Sequence, residues 1–297
     1  MIYEQISKNK RNSILLCILF IIFVGFLGWV FARLTALGNA GIVLAVIIAV
    51  VWAFGSYYWS DKIVLAISRA RPLEKEEFPH LFYAVEGLAI AAGLPKPRVY
   101  VIEDSAPNAF ATGRNPEHAV VCVTTGLLQK LNRLELEGVI AHELSHVKNY
   151  DILFGSLVVV MVGVVALLSD WILRSFFWGG GRRRREEGGG QAAAILLVVG
   201  ILLAILAPII AQLVRLAISR KREFLADASG AMLTRYPKGL ADALRKLDAD
   251  TEPLEAANKA TAHMYIVNPL KEHGGVINKL FATHPPVEER IKALEAM

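Results

Sequence analysis

His142 and His146 stand four residues apart, with Glu143 directly after the first, in the run His142-Glu143-Leu144-Ser145-His146. On a helix of about 3.6 residues per turn, positions four apart point within about 40° of each other, so both imidazoles can reach one metal ion. Glu143 can then face a water on that ion and take its proton. These residue types at this spacing describe a hydrolytic zinc site. The competing description is a solvated or salt-bridged helix face.

The element that must carry them is legible. Asn132 followed by Glu135 reads as a capping-box start. Leu136, Val139, Ile140 and Leu144 form a buried stripe behind it. A helix so clad in apolar residues lies inside a domain, where unpaired His and Glu are costly, and metal binding removes that cost.

A catalytic zinc holds three protein ligands and keeps a fourth position for water. No histidine follows His146 at the spacing of the extended H-E-x-x-H-x-x-G-x-x-H pattern, and the next is His263. The third ligand is therefore expected to be a carboxylate on a later helix. Glu223, within Arg220 to Asp227, is the strongest candidate, and Asp227 one turn on could orient a ligand. From the residues alone, the same run also fits a charged helix flanking a membrane segment. His80, His118, His263 and His273 read as surface or structural.

The surroundings are apolar. Of 297 residues 55% are hydrophobic and only 20% charged, with a mean hydropathy of +0.45, too apolar for a purely water-soluble protein. Ser13–Phe31 and Ala40–Trp59 carry no charge, and each approaches the roughly 20 residues that cross a bilayer. A cleaved signal peptide is the rival reading of the first, with Lys8, Lys10 and Arg11 ahead of it and Gly38-Asn39-Ala40 resembling a cleavage site. Its apolar run exceeds the roughly 7–15 residues of a signal core, and a second run follows, so a retained anchor is expected.

Ile152–Leu168 and Ala192–Val214 are two further apolar runs, joined by a glycine-rich tip containing Arg182–Arg185. The chain thus divides into two membrane helices (1–60), a first catalytic part (61–151), a membrane hairpin (152–215) and a second catalytic part (216–297). Basic residues beside the N-terminal runs place the N-terminus and both catalytic parts in the cytoplasm. The four tip arginines run against that rule. Asp170, at the end of a membrane run, reads as an interface marker. Within the first catalytic part, Pro72–Ala92 reads as a helix whose first turns hold Glu74, Glu76 and Glu77, and Arg98–Asp104 and Ala119–Thr124 as strands.

Cys17 and Cys122 are the only cysteines, one in an apolar run and one in a strand pattern, so no disulfide framework is expected. The net charge of +5 comes without a basic stripe interleaved with aromatics, which speaks against nucleic acid.

The chain resembles the membrane-embedded zinc endopeptidases of the HtpX heat-shock type, relatives of the CAAX prenyl endopeptidase. The resemblance rests on His142 through His146 with Asp151 five residues on, and on Ser219-Arg220 through Glu223 to Asp227. It rests also on Asn108-Ala109-Phe110-Ala111-Thr112-Gly113 and on Thr283-His284-Pro285. It implies one Zn2+ per chain on His142, His146 and Glu223, with Glu143 as base; Asp151 and Asp227 are read as acids that support the ligands or fill buried polar roles. It further implies that Asn108, Ala109, Phe110 and Ala111 form an edge strand that takes substrate as an added strand. Without it, Asn108 to Gly113 reads as an ordinary turn. His284 is the candidate donor to the oxyanion. Its other readings are an inhibitory fourth ligand and a cap of the following helix.

The expectation is a mainly α fold with a small β-sheet: a zincin-like metalloprotease domain combined with four membrane-associated helices. It would sit in the cell membrane facing the cytoplasm and cleave misfolded or damaged membrane proteins under stress. A processing protease of prenylated or other specific substrates is a second reading. A sensor or adaptor with a structural zinc is a third, against which Glu143 argues, since a structural site has no use for a base.

Overall fold

The computed structural model describes residues 2–34, 38–163, 220–258, 260–270 and 285–297. Two long helices, α1 (Ile2–Leu34) and α2 (Gly38–Ile67), open the chain. A sheet of four strands follows: β1 (Arg71–Pro72), β2 (Arg98–Ile102), β3 (Ala109–Thr112) and β4 (Val120–Thr124). Their order is β1-β2-β4-β3, with β2 and β4 parallel and the outer pairs antiparallel, which leaves β3 at an edge. Helix α3 (Pro79–Ala92) crosses between β1 and β2, and α4 (Thr125–Lys130) leaves β4.

Helix α5 (Arg133–Lys148) carries the histidine pair and begins as its first residues dictate. The Glu135 N–H donates to Asn132 Oδ1 at 3.0 Å, and the Asn132 N–H donates to Glu135 Oε2 at 2.8 Å, closing the reciprocal cap. Its stripe of Leu136, Val139, Ile140 and Leu144 is buried with Val121 and Val123 of the sheet and Leu81 and Val85 of α3. A helix over 151–163, α6, follows at once. Then come α7 (Arg220–Thr234), α8 (Pro237–Ala249) and α9 (Val287–Glu295). Leu240, Leu244 and Leu247 line one face of α8 and join the core around α5. Two close approaches fix this bundle. A methyl at Gly138 of α5 would sit 2.7 Å from the Leu240 nitrogen, and one at Gly230 of α7 would sit 3.0 Å from the His142 nitrogen.

The expected helix over Pro72–Ala92 is shorter. It starts at Pro79, whose fixed φ and missing N–H suit the first helical position. Arg71 and Pro72 pair with β2 instead, and Glu77 lies in the turn before the helix, held by Arg71 at 2.7 Å.

Among the described residues no helix is long and apolar enough to cross a membrane. Ser13–Phe31 and Ala40–Trp59 fall inside α1 and α2, and each run includes side chains outside the described set. Both helices are tied to the rest of the chain. Leu16 and Phe20 of α1 pack on Leu153, Phe154 and Leu157 of α6, and Asp61 of α2 holds Arg98 of β2 at 2.5 Å. The expected hairpin beyond residue 163, with Asp170 and Arg182–Arg185, lies outside the described residues.

Candidate active site

One turn of α5 separates His142 from His146, and their Nε2 atoms face each other at 3.1 Å. Helix α7 brings Glu223 to the same point, with Oε2 3.8 Å from His142 Nε2 and Oε1 3.6 Å from His146 Nε2. The three side chains offer ligand atoms that all lie within 4.8 Å of one another. All three are largely removed from solvent, His142 at 1% exposure and Glu223 at 5%.

Each imidazole is held from behind by a carboxylate. His142 Nδ1 lies 2.9 Å from Asp227 Oδ1, and His146 Nδ1 lies 3.0 Å from Asp151 Oδ2. A proton on each Nδ1 leaves the Nε2 lone pairs pointing inward. Two such lone pairs and a carboxylate aimed at one point repel each other unless a cation lies among them. The donor set therefore fits a divalent metal that accepts nitrogen and oxygen ligands.

The electrostatics point the same way. Burial favours the neutral form of both histidines, and for His142 it prevails and lowers the pKa. For His146 the hydrogen bond to Asp151 and the Glu223 carboxylate outweigh burial and push it up to about 9. Positive charge is thus favoured at His146 and not at His142. Burial pushes the Glu143 carboxyl up to about 7, helped by Glu223 and opposed by His146 and by the Ala111 N–H that donates to it.

Behind the histidines lies an unforeseen cation. Arg290 of α9 is fully buried and forks onto Asp227, and its Nη1 donates to the Ile266 carbonyl at 2.8 Å. Its Nη1 also lies 3.8 Å from Glu223 Oε2. A signal for it was present: Val287, Ile291 and Leu294 form an apolar face on which Arg290 also falls, and a charge there demands a partner. Arg222 and Asn9 close on Asp151 from the other side, and neither carries a comparable mark in the sequence.

The remaining expectations divide. Asn108 and Ala109 do lie at the edge of the sheet, but segment 265–267 covers that part of it. Ile266 N–H donates to the Ala109 carbonyl at 3.0 Å, and the Asn108 amide donates to the Val267 carbonyl at 3.0 Å. Phe110 faces the core, edge-on to Tyr265. Of the four, only Ala111 lines the small cavity, about 50 Å³, into which His142, Glu143, His146 and Glu223 open. His263 is not on the surface: it is buried on the wall of that cavity, 3.4 Å from the Gly155 carbonyl. His80 is exposed, and so is His118, bonded to Asn115 and Arg114. His273 and His284 lie outside the described residues.

Comparison with known proteins decides what this geometry belongs to. The family described as Peptidase family M48 matches residues 75–297, three quarters of the chain and every catalytic element above. The chain belongs to peptidase family M48. Proteins named "Protease HtpX homolog" are similar over the whole length. The one from Dictyoglomus turgidum is 48% identical over 99% of this chain and 94% of its own. That of Thermoanaerobacter pseudethanolicus is 48% identical over 100% and 98%, and that of Tropheryma whipplei strain Twist 45% over 100% and 99%. Among solved structures, S. mikatae Ste24p matches with a TM-score of 0.48 at 21% identity, over 84% of this chain and 57% of that one. This M48 chain is a metalloprotease, and His142, His146 and Glu223 are the group in it placed to hold a metal.

Proposed function

We propose that this M48 chain is a membrane-anchored zinc endopeptidase that cleaves misfolded or damaged membrane proteins on the cytoplasmic side. The observation that carries the enzymatic part is the convergence of His142, His146 and Glu223 on one point, with the Glu143 carboxyl opening into the same cavity. Two imidazole nitrogens and one carboxylate suit Zn2+, which when bound supplies Lewis acidity and makes water acidic near neutral pH.

The chain's own residues do the rest. Glu143 takes a proton from the attacking water and delivers it to the leaving amine. Ala111, the residue of β3 that lines the cavity, is the proposed point of main-chain pairing with substrate. Backbone pairing asks little of sequence, which suits a protease of damaged proteins. His284 is the proposed donor to the oxyanion, with an inhibitory fourth ligand as its other role.

Anchoring in lipid is supported by the outer faces of the first two helices. Ile14, Leu15, Ile18 and Ile22 on α1 and Val43, Ile47, Val51 and Phe54 on α2 are exposed, and water disfavours so many large apolar side chains at the surface. Lys8, Lys10 and Arg11 before it, and Lys62, Arg69 and Arg71 after it, favour the cytoplasm for the catalytic part.

The deciding experiment measures casein cleavage by the detergent-purified protein, with and without chelator, and by Glu143→Ala. Cleavage by the untreated wild type alone supports the reading, whereas equal cleavage in all samples overturns it. Protection of a C-terminal tag from external protease in right-side-out vesicles, and its loss in inside-out ones, checks the side.

A further inference from the structure

The family match begins at residue 75 and so leaves α1 without a role, yet this helix reaches Asp151 and Arg222 beside the metal-binding group. Asn9 is 2% exposed although it stands between the exposed Lys8 and Lys10. Its amide donates to the Asn149 carbonyl at 2.8 Å and to Asp151 Oδ1 at 2.7 Å. The other oxygen of Asp151 lies 3.0 Å from His146 Nδ1. Arg222, one residue before Glu223, donates to Asn9 Oδ1 at 3.1 Å and to Asp151 Oδ1 at 3.3 Å.

The bend that Asn9 grips is strained. Between α5 and α6, Tyr150 has φ +59°, a left-handed conformation that a bulky side chain rarely adopts. Such backbone persists only where its surroundings over-determine it. Besides the last turn of α5, the surroundings come from α1: Asn9 holds the residues on both sides of Tyr150, and Lys10 Nζ sits 4.2 Å above its ring. Farther along, Leu16 and Phe20 keep α1 against α6.

We infer that Asn9 is a positioning residue for the metal centre: by stapling the bend at Asn149–Asp151 it fixes Asp151, and through Asp151 the ring of His146. This rests on the metal-centre reading above. It makes metal affinity depend on the seating of a helix that lies outside the family's catalytic segment. Loss of a partner behind a ligating histidine weakens metal binding about 10–100-fold, and Asn9 acts one bond farther out, so about tenfold is expected.

The test is Zn2+ affinity of the full chain in detergent, read by competition with a chelating dye. Asn9→Ala is compared with Asn9→Ser, which is too short to span both acceptors, and with Lys8→Ala on the solvent side of the same helix. Circular dichroism of the chelated proteins verifies folding, and Asn9→Ser decides if Asn9→Ala does not fold. The expected result is about tenfold weaker Zn2+ binding for both Asn9 variants, unchanged binding for Lys8→Ala, and no further loss when Asn9→Ala is added to Asp151→Asn. Wild-type affinity in a folded Asn9 variant overturns the inference, as does the same loss with and without Asp151→Asn. A wild type that takes up no Zn2+ overturns the metal-centre reading itself.

Discussion

Arg290 grips both oxygens of Asp227, with Nε 2.8 Å from Oδ2 and Nη2 2.7 Å from Oδ1, and Asp227 in turn backs His142. The last helix of the chain thereby holds the first histidine of the motif. The planar fork of a guanidinium matches a carboxylate in two parallel bonds, and a point charge on lysine does not.

Arg290→Lys should therefore behave differently from a surface Arg-to-Lys exchange. It keeps the charge but loses the fork and the bond to the Ile266 carbonyl, and Zn2+ affinity should fall about 10–100-fold. Arg290→Met leaves Asp227 buried without its cation and should lower stability by about 3–5 kcal/mol. Thermal denaturation of the chelated proteins and dye competition measure the two effects. Wild-type metal affinity in Arg290→Lys would show that the fork does not matter.

A second consequence concerns acid. Burial raises the Asp227 carboxyl, but Arg290 and the His142 ring outweigh it and hold it below its ordinary value. A depressed folded pKa contributes stability above the unfolded value near 3.9 and loses it as pH falls through the folded one. In the chelated chain, the stability difference between wild type and Asp227→Asn should be constant above about pH 5 and shrink below about pH 4. Urea titrations at pH 3, 4, 5 and 7 follow it. A difference that grows toward acid would contradict the sign.

The histidine pair, its capped helix and the two central strands were legible because each is a local pattern. Capping, alternation and a four-residue repeat depend on neighbours in sequence. Glu223 was reachable only as the best carboxylate in a charged run, since no local rule says which helix crosses α5. That crossing is set by glycines whose meaning appears only when Gly230 is seen against the His142 backbone. Arg290 announced itself weakly as a charge on an apolar face. Asn9 did not announce itself at all, because a polar residue between lysines reads as solvent-exposed until a partner 142 positions away is in place. The coverage of the β3 edge was equally hidden, being a loop contact between Ala109 and Ile266.

The glycine crossing makes its own prediction. A side chain at Gly230 meets the backbone of α5, which cannot yield as a flexible side chain can. Gly230→Val should push α7 away from α5, destabilise by about 1–3 kcal/mol, and weaken Zn2+ binding as Glu223 withdraws. Gly87 of α3 is the contrast, with nothing within 4 Å of an added methyl, and Gly87→Ala should gain about 0.5–1 kcal/mol of helix stability. Denaturation midpoints and metal titration of the two variants test the pair, and a Gly230→Val protein with wild-type affinity would refute it.

Glu143 separates metal holding from turnover. It opens into the cavity beside the three donors, and burial pushes its carboxyl up to about 7. Glu143→Gln keeps the shape and removes the base. Removing a positioned general base costs about 10²–10⁴-fold in rate, so kcat should fall in that range while Zn2+ stoichiometry stays at one per chain. Glu223→Gln should do the reverse first, weakening metal uptake, because it replaces an anionic ligand with a neutral amide. Metal analysis and peptide hydrolysis on the same preparations distinguish the two. If Glu143→Gln lost its metal while Glu223→Gln retained it, the roles of base and ligand would have to be exchanged.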